Sequence, residues 1–346
     1  MKIWNFGIIG AGMIADFHAK AIQSLGSAKL IGICGSNAGK ANTLAAKYAC
    51  KPYGGTTEML QSDDIDIVII ATPSGAHMEP AIAAAKHGKH VICEKPLEIT
   101  TERIDKMVEA HEKYGTRLGG IFNYRFNDAV GVLKNAVDSG RFGIITNAAV
   151  FVPWWRTNSY YDNNWRGTWK LDGGGALMNQ SIHMIDMLQY IVGPVSSLQA
   201  YIATLGHPQI EVEDTAVAIL RFKNNALGMI YGSTASYPGQ YRRMEITGTK
   251  GTVIMEENSF KVWKFIDEIE GDNEIIENFG KIEGGGGVSD PAAMSFQPHS
   301  RNIAAFIESL DQGKPFEIDG HESRKSVEII QAIYKSSKEH KEVYFG

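Results

Sequence analysis

The chain has 346 residues, which makes two domains the default expectation, and its formal net charge of −5 gives no electrostatic reason to expect nucleic acid or an anionic membrane as a partner. Cys34, Cys50 and Cys93 form no CxxC pair or His/Cys ligand pattern, so no metal is expected and a reducing, cytoplasmic compartment is. No apolar run reaches the ~18 residues of a membrane span, and Met1 to Gly7 carries no secretion-signal pattern.

In chain order, Phe6 to Ile9 reads as a strand, Ile14 to Leu25 as a helix, Lys29 to Cys34 as a strand and Ala38 to Tyr48 as a helix. Ile65 to Ala71 is a β-branched run of the kind buried in parallel sheets. Pro80 to His87 is helical, His90 to Cys93 a strand, Thr101 to Tyr114 a helix and Arg117 to Phe122 the last strand of the set. This alternation predicts an α/β fold, with a doubly wound parallel sheet of Rossmann type over residues 1–122. Beyond it the pattern changes. Asp128 to Ser139 is helical, and Thr146 to Val152, Thr215 to Phe222, Ala226 to Ser233, Arg243 to Thr247 and Thr252 to Glu256 read as strands. Residues 123–346 are therefore expected to form an α+β domain on one large, mainly antiparallel open sheet. Gly284 to Gly287 reads as a loop. Asn302 to Leu310 and Ser323 to Lys335 read as helices, with His299 and His321 as surface or capping residues.

At the first strand–helix junction stands Gly10-Ala11-Gly12-Met13-Ile14-Ala15, the GxGxxA pattern of a dinucleotide site. Gly10 would allow the tight turn, Gly12 the backbone's approach to a pyrophosphate, and Ala15 close helix–strand packing. Met13 and Ile14 open the helix. At the end of the second strand no acidic residue lies between Asp16 and Glu58. Ser36, Asn37 and Lys40 stand there instead, which suits NAD or NADP and leans slightly to NADP. Alternatively, Lys40 is a solvated helix residue and Ser36 or Asn37 holds the ribose. Thr72 and Pro73 close the third long strand, where cofactors lie. His77 reads as a helix-start residue.

The fourth strand ends Cys93-Glu94-Lys95-Pro96. Lys95 would project toward a nicotinamide, with Glu94 beside it, and could stabilise charge on a reacting oxygen. The competing reading is a surface lysine paired with Glu94. Later, Asp172-Gly173-Gly174-Gly175 leads into a helix to about Tyr190. Asn179, His183 and Asp186, at i, i+4 and i+7, would share one face and meet substrate hydroxyls. Alternatively, His183 is a buried structural residue bonded to Asp186 or to backbone. Between Pro153 and Lys170, Trp154-Trp155-Arg156, Tyr160-Tyr161 and Trp165-Arg166 are dense in aromatics and arginines. Arg156, Tyr160 and Tyr161 are candidate sugar contacts, or the loop packs on a neighbouring subunit. Asn123 and Arg125 could also reach a substrate, and Tyr237 and Tyr241 are weaker candidates.

Taken together, GxGxxA, Glu94-Lys95-Pro96, the triple glycine with His183 and Asp186, Val212-Glu213-Asp214-Thr215-Ala216 and Gly248-Thr249-Lys250-Gly251-Thr252 resemble the Gfo/Idh/MocA oxidoreductase family across essentially the whole chain. The resemblance implies an NAD(P)-dependent dehydrogenase of a sugar, sugar derivative or cyclic polyol, with Lys95 and His183 as the acid/base pair. It places Trp165 and Arg166 near the cofactor and implies a homodimer or homotetramer through the C-terminal sheet. An aspartate often stands where this chain has Asn179, which cannot act as a base and shifts proton transfer onto His183 and Lys95. The resemblance leaves two other functions open, a glycosidase with transient NAD-dependent oxidation and a non-catalytic sugar or dinucleotide sensor.

Overall fold

A largely apolar strand, a glycine turn and an amphipathic helix set the first repeat: β1 (Trp4–Ile9), then α1 (Met13–Gln23). A computed structural model describes residues 2–162, 165–281 and 295–346; Gly284 to Gly287 lies outside them. The alternation continues through β2 (Ala28–Cys34), α2 (Ala38–Lys47), β3 (Lys51–Pro52), α3 (Thr56–Leu60), β4 (Ile67–Ile70), α4 (Met78–Lys86), β5 (His90–Cys93), α5 (Thr101–Lys113) and β6 (Leu118–Gly120). Next come α6 (Asp128–Asp138), β7 (Ile145–Pro153), α7 (Ile182–Val192), β8 (Val195–Ala203), β9 (Thr215–Phe222), β10 (Leu227–Ser233), β11 (Arg243–Gly248), β12 (Gly251–Glu256) and β13 (Ser259–Phe265). The chain closes with α8 (Asp272–Phe279), α9 (Gln297–Asp311), α10 (Gly320–Glu339) and β14 (Val343–Tyr344).

The chain divides into two compact units. The first comprises Met1–Asn123, Lys170–Gly173 and Ser295–Val327; the second comprises Tyr124–Trp169, Gly174–Met294 and Glu328–Gly346. In the first, six strands run parallel in the order β3-β2-β1-β4-β5-β6. Ile67, Val68, Ile69 and Ile70 are wholly buried, as expected for a strand covered on both faces. The strand order reverses between β1 and β4, so their carboxyl ends form the crevice where such sheets take ligands. Helix α9 returns to this unit and lies against α1, with Ser24 Oγ 2.9 Å from Ser300 Oγ.

The second unit is built on eight strands in the order β13-β12-β11-β7-β10-β9-β8-β14. Among the described residues only the β7–β10 pairing of this sheet is parallel. On β9 the residues alternate: Ala216, Ala218 and Leu220 are buried, while Val217 and Ile219 face outward. Helix α7 packs on β7, and Ala200 N of β8 donates to Ser336 Oγ of α10 at 3.0 Å. The expected strands are all present. β3, α3, β8, α8, β13 and β14 were not anticipated: β3 is two residues with a proline, and β8 mixes serine and glutamine into its apolar pattern. Among the described residues no helix is long and apolar enough to cross a membrane, and no His/Cys/Asp/Glu group could hold a metal ion.

Candidate active site

In the first unit the fingerprint glycines have separate duties. Gly10 sits at φ +125°, and a Cβ there would come within 2.3 Å of the Ala71 carbonyl oxygen at the end of β4. Gly10 N donates to Cys34 O at 2.8 Å, tying the turn to β2 as well. Gly12, the N-cap of α1, is the contrary case: a Cβ there would meet nothing within 4 Å. Among the described residues nothing demands glycine at 12, and the helix start has no side-chain cap. Open space over uncapped N–H groups fits a phosphate. Met13, a large apolar residue, is exposed beside it, Ile14 is half-buried and Ala15 is wholly buried, as close helix–strand packing requires.

A discriminating experiment follows from this contrast. Gly10→Ala should destabilise the chain by about 1–3 kcal/mol or more, because an L side chain is strained there and meets backbone. Gly12→Ala should change stability by no more than about 1 kcal/mol; with a dinucleotide phosphate bound over this turn, the added Cβ should weaken NADH binding about tenfold or more. Urea melts and NADH fluorescence titrations read the two effects. Equal NADH affinity in wild type and Gly12→Ala would remove the phosphate from this turn.

At the end of β2, Ser36, Asn37 and Lys40 are exposed. Asn37 Oδ1 accepts from Lys40 N at 3.0 Å and so caps α2. Thr72 Oγ1 donates to Ala76 O at 3.0 Å, and Pro73 precedes a single turn over Ser74–Ala76. His77 does start a helix, as the cap of α4. It also ties two loops together, with Nε2 2.9 Å from Thr72 O and Nδ1 3.0 Å from Pro96 O.

Glu94 is buried, and both its oxygens are engaged within the unit. His18 Nε2 of α1 lies 2.7 Å from Oε1, and Lys95 N donates to Oε2 at 3.0 Å. Burial alone would raise its pKa. The His18 hydrogen bond and the charges of His18, His299 and Lys95 instead bring it down to about 2. Glu94, expected among the cofactor ligands, therefore holds the peptide that carries Lys95, itself half-buried. His299 departs from expectation. It is buried, not a surface cap: its ring lies 5.4 Å from that of His18, and Nε2 is 4.0 Å from Glu94 Oε1. Burial, with His18 nearby, lowers its pKa to about 4. Asn123, expected at the substrate, packs its amide nitrogen 3.3 Å from His299 Nδ1. His321 is exposed, as expected, with Nε2 3.2 Å from Glu112.

In the second unit the expected helix starts differently. Residues Ala176–Ser181 form a π turn, and regular α7 begins only at Ile182. The wider turn means that Asn179 does not continue the α7 face by simple i, i+4 spacing. Its cause lies in the anchoring of the glycines. A Cβ at Gly175 would fall 1.8 Å from Glu213 O, and Ala176 N donates to that oxygen at 3.0 Å. The buried Glu213 carboxyl accepts from Gly175 N at 3.0 Å, Leu177 N at 2.8 Å and Tyr334 Oη at 3.1 Å.

Burial pushes the Glu213 pKa from its ordinary 4.5 to about 7, against the pull of those three donors. Below about pH 4.5 the group is protonated whether the chain is folded or not. Between there and about 7 the unfolded chain ionises first, so the stabilisation is lost as pH rises through 7, by about 3 kcal/mol in all. Urea unfolding from about pH 5 to about pH 8 should show this slope in the wild type and not in Glu213→Gln. Parallel profiles would refute it.

His183 is buried with its ring stacked on Tyr124, centroids 4.3 Å apart and planes at 26°. Asp186, 1% exposed, faces inward: Arg125 Nε donates to Oδ2 at 2.7 Å and Nη2 to Oδ1 at 2.5 Å. Asp186 and Arg125, both expected toward substrate, thus form a buried ion pair, with Arg125 also over the Tyr190 ring. The aromatic loop forms the polar cluster. Arg156 Nη2 donates to Gln180 Oε1 at 3.1 Å, and Gln180 Nε2 donates to Tyr160 Oη at 2.8 Å and to Asn179 Oδ1 at 3.1 Å. Arg166 lies 4.2 Å from the Tyr160 ring centre, and Arg156 5.6 Å. Arg166, expected with Trp165 at the cofactor, is thus grouped with Arg156, Tyr160 and Asn179. Arg156 is buried, which lowers its pKa. Tyr161 is buried against Thr234, while Tyr237 and Tyr241 are exposed. Gln180, Tyr124 and Glu213 were not singled out by sequence, although Gln180 adjoins Asn179 and Glu213 lies in the family-like Val212–Ala216 run.

Comparison with known proteins places these features. Residues 4–121 match the family described as "Oxidoreductase family, NAD-binding Rossmann fold", and residues 131–254 match "GFO/IDH/MocA C-terminal domain". The chain is 27% identical to a Myo-inositol 2-dehydrogenase of Thermotoga maritima over 98% of each chain. It is 30% identical to a Levoglucosan dehydrogenase of Pseudarthrobacter phenanthrenivorans over 73% of this chain and 74% of that one. Among solved structures, the WlbA dehydrogenase from Bordetella pertussis in complex with NADH and UDP-GlcNAcA is 34% identical, with a TM-score of 0.90, over 100% of this chain and 98% of that one.

Proposed function

Because the chain belongs to the GFO/IDH/MocA family of NAD-binding oxidoreductases, we propose that it is an NAD-dependent dehydrogenase acting on a secondary ring hydroxyl of a nucleotide-linked sugar acid. The observation that carries the substrate class is the Arg156–Tyr160–Arg166–Asn179–Gln180 cluster. Guanidinium groups beside an aromatic ring suit carboxylate or phosphate oxygens together with a pyranose face. The likeness to a dehydrogenase solved with UDP-GlcNAcA supports the same class.

Gly10, Gly12, Met13, Ile14, Thr72 and Pro73 would hold the dinucleotide, with Ser36, Asn37 and Lys40 at its adenosine ribose. Bound NAD supplies the hydride acceptor. His183 takes the hydroxyl proton as the carbinol carbon is oxidised, and the Lys95 ammonium stabilises the oxygen. Asn179 orients a neighbouring hydroxyl. NAD is preferred over the NADP to which Ser36, Asn37 and Lys40 lean, because the matched family is NAD-binding and the similar WlbA dehydrogenase was solved with NADH. The open face of the second unit's sheet, where Tyr201 is 67% and Ile219 60% exposed, serves self-association into a dimer or tetramer. The three unpaired cysteines suit a cytoplasmic protein.

The test is a panel of UDP-sugar acids, neutral UDP-sugars, free sugars and inositols, each with NAD and NADP, followed by absorbance of the reduced nicotinamide. Turnover of UDP-GlcNAcA with NAD exceeding that of the neutral UDP-sugar is expected. Turnover of free inositol alone would overturn the substrate class, and sugar cleavage without net NADH would mark a glycosidase.

A further inference from the structure

Tyr124 stands at the start of the second unit, buried, in the single turn Asn123–Phe126. Two groups lie close to its ring centre. The His183 imidazole is stacked at 4.3 Å, and the Arg242 guanidinium carbon is at 3.8 Å. Two groups so near one centroid, one of them stacked, cannot occupy the same face. The phenol ring is therefore sandwiched between imidazole and guanidinium. Such cation–π and stacking contacts are directional, and here they act in a site with little water.

Arg242 is itself anchored. It precedes β11 and closes the open end of the β11–β12 hairpin. Its Nη2 lies 3.2 Å from Glu257 Oε2 and donates to Asn258 Oδ1 at 3.0 Å, and its backbone N–H donates to Glu257 Oε1 at 3.2 Å. Arg242 and Glu257 are both buried. The hairpin is held in the sheet by β7, with Met244 paired to Val150. The stack thus runs from a rigid sheet, through one charged side chain and one ring, to His183.

We propose that Tyr124 and Arg242 are positioning residues for His183: the guanidinium–phenol–imidazole stack fixes the plane of the imidazole so that its nitrogen meets the substrate hydroxyl. This rests on the dehydrogenase reading for its kinetic consequence, though the stack itself does not. A misplacement of about 1 Å at a reacting group costs on the order of a hundredfold in rate. Substrate and dinucleotide contacts made by other residues are untouched, so the loss falls on kcat.

With UDP-GlcNAcA and NAD as the probe, Tyr124→Phe should keep kcat within about twofold, because the ring face is retained. Tyr124→Leu should lower kcat by about 10- to 100-fold with KM and NADH affinity nearly unchanged. Arg242→Lys keeps a charge opposite Glu257 but loses the planar group, and should give a smaller fall in kcat. Proton NMR gives a readout independent of turnover. In the wild type the His183 ring protons, identified by their absence in His183→Asn, should be shifted upfield by the Tyr124 ring. They should stay so in Tyr124→Phe and return toward their ordinary position in Tyr124→Leu. A wild-type His183 signal at its ordinary position overturns the stack, even where Tyr124→Leu fails to fold. Unchanged kcat in folded Tyr124→Leu, or equal losses in kcat and NADH affinity, overturns the positioning role. A wild type with the upfield signal but no turnover of UDP-GlcNAcA would leave the stack standing and sink the proposed substrate.

Discussion

Replacing His183 with asparagine is expected to lower kcat by about 100- to 10,000-fold, the usual yield of a positioned general base, with little change in NADH affinity. Of the site residues proposed in the second unit, His183 alone carries a group suited to the task; the buried Glu213 is spent on Gly175, Leu177 and Tyr334. Asn179 and Gln180 are amides and accept no proton at neutral pH. The phenol of Tyr160 serves as a hydrogen-bond partner, and the guanidinium groups of Arg156 and Arg166 are donors with no acceptor. Imidazole alone in this set changes protonation near neutrality. Lys95 can stabilise an oxygen, but as an ammonium it has no lone pair to offer. Steady-state kinetics on a turned-over sugar, beside NADH fluorescence titration, makes the measurement. Retention of more than about a tenth of kcat would move the base elsewhere, with Lys95 in neutral form the first group to examine through Lys95→Met.

Asp186→Ala is expected to cost about 3–5 kcal/mol in stability, because it leaves the Arg125 guanidinium buried without its carboxylate. The geometry is a two-point fork, Nε and Nη2 each on its own oxygen, with both side chains almost wholly out of water. A shift of the urea midpoint at constant slope would report it. Arg125→Met/Asp186→Leu, which removes both charges, should recover much of the loss. The outcome also separates two roles for Asp186. A small stability change, below about 1 kcal/mol, accompanied by a large rise in KM, would return Asp186 to the substrate.

What the sequence made legible was what local chemistry specifies. The Gly10 turn, the buried run to Ala71 and the Glu94-Lys95-Pro96 strand end each announce themselves within a few residues, because turns and buried strands have short-range rules. The doubly wound parallel sheet follows from them. Contacts made by distant partners were not legible. His299 heads a helix among serine and asparagine, which reads as surface; it is buried because α9 packs on α1, far away in sequence, and sets the ring against Phe17 and His18. Asp186 shares a stripe with His183 on paper, yet Arg125 claims it. The π turn at Ala176–Ser181 is invisible to a periodicity count, since Gly175 and Ala176 are anchored on the distant Glu213, a contact that the local pattern does not encode. Nothing near Tyr124 points to Arg242.

The return of α9 to the first unit bears on the order in which the protein can be made. The Trp4 indole N–H donates to Asp311 at 2.9 Å, a bond between residues 307 apart in sequence. The nucleotide-binding unit is thus the first to leave the ribosome and among the last to be completed. Until α9 is translated, the face of α1 that it covers stays wet, and the His18–Glu94 pair lacks its His299 neighbour. Contacts of such high order slow folding and leave an apolar surface open meanwhile. A ribosome-stalled chain ending before α9 should therefore remain protease-sensitive in residues 1–122, and acquire protection only once the helix has emerged.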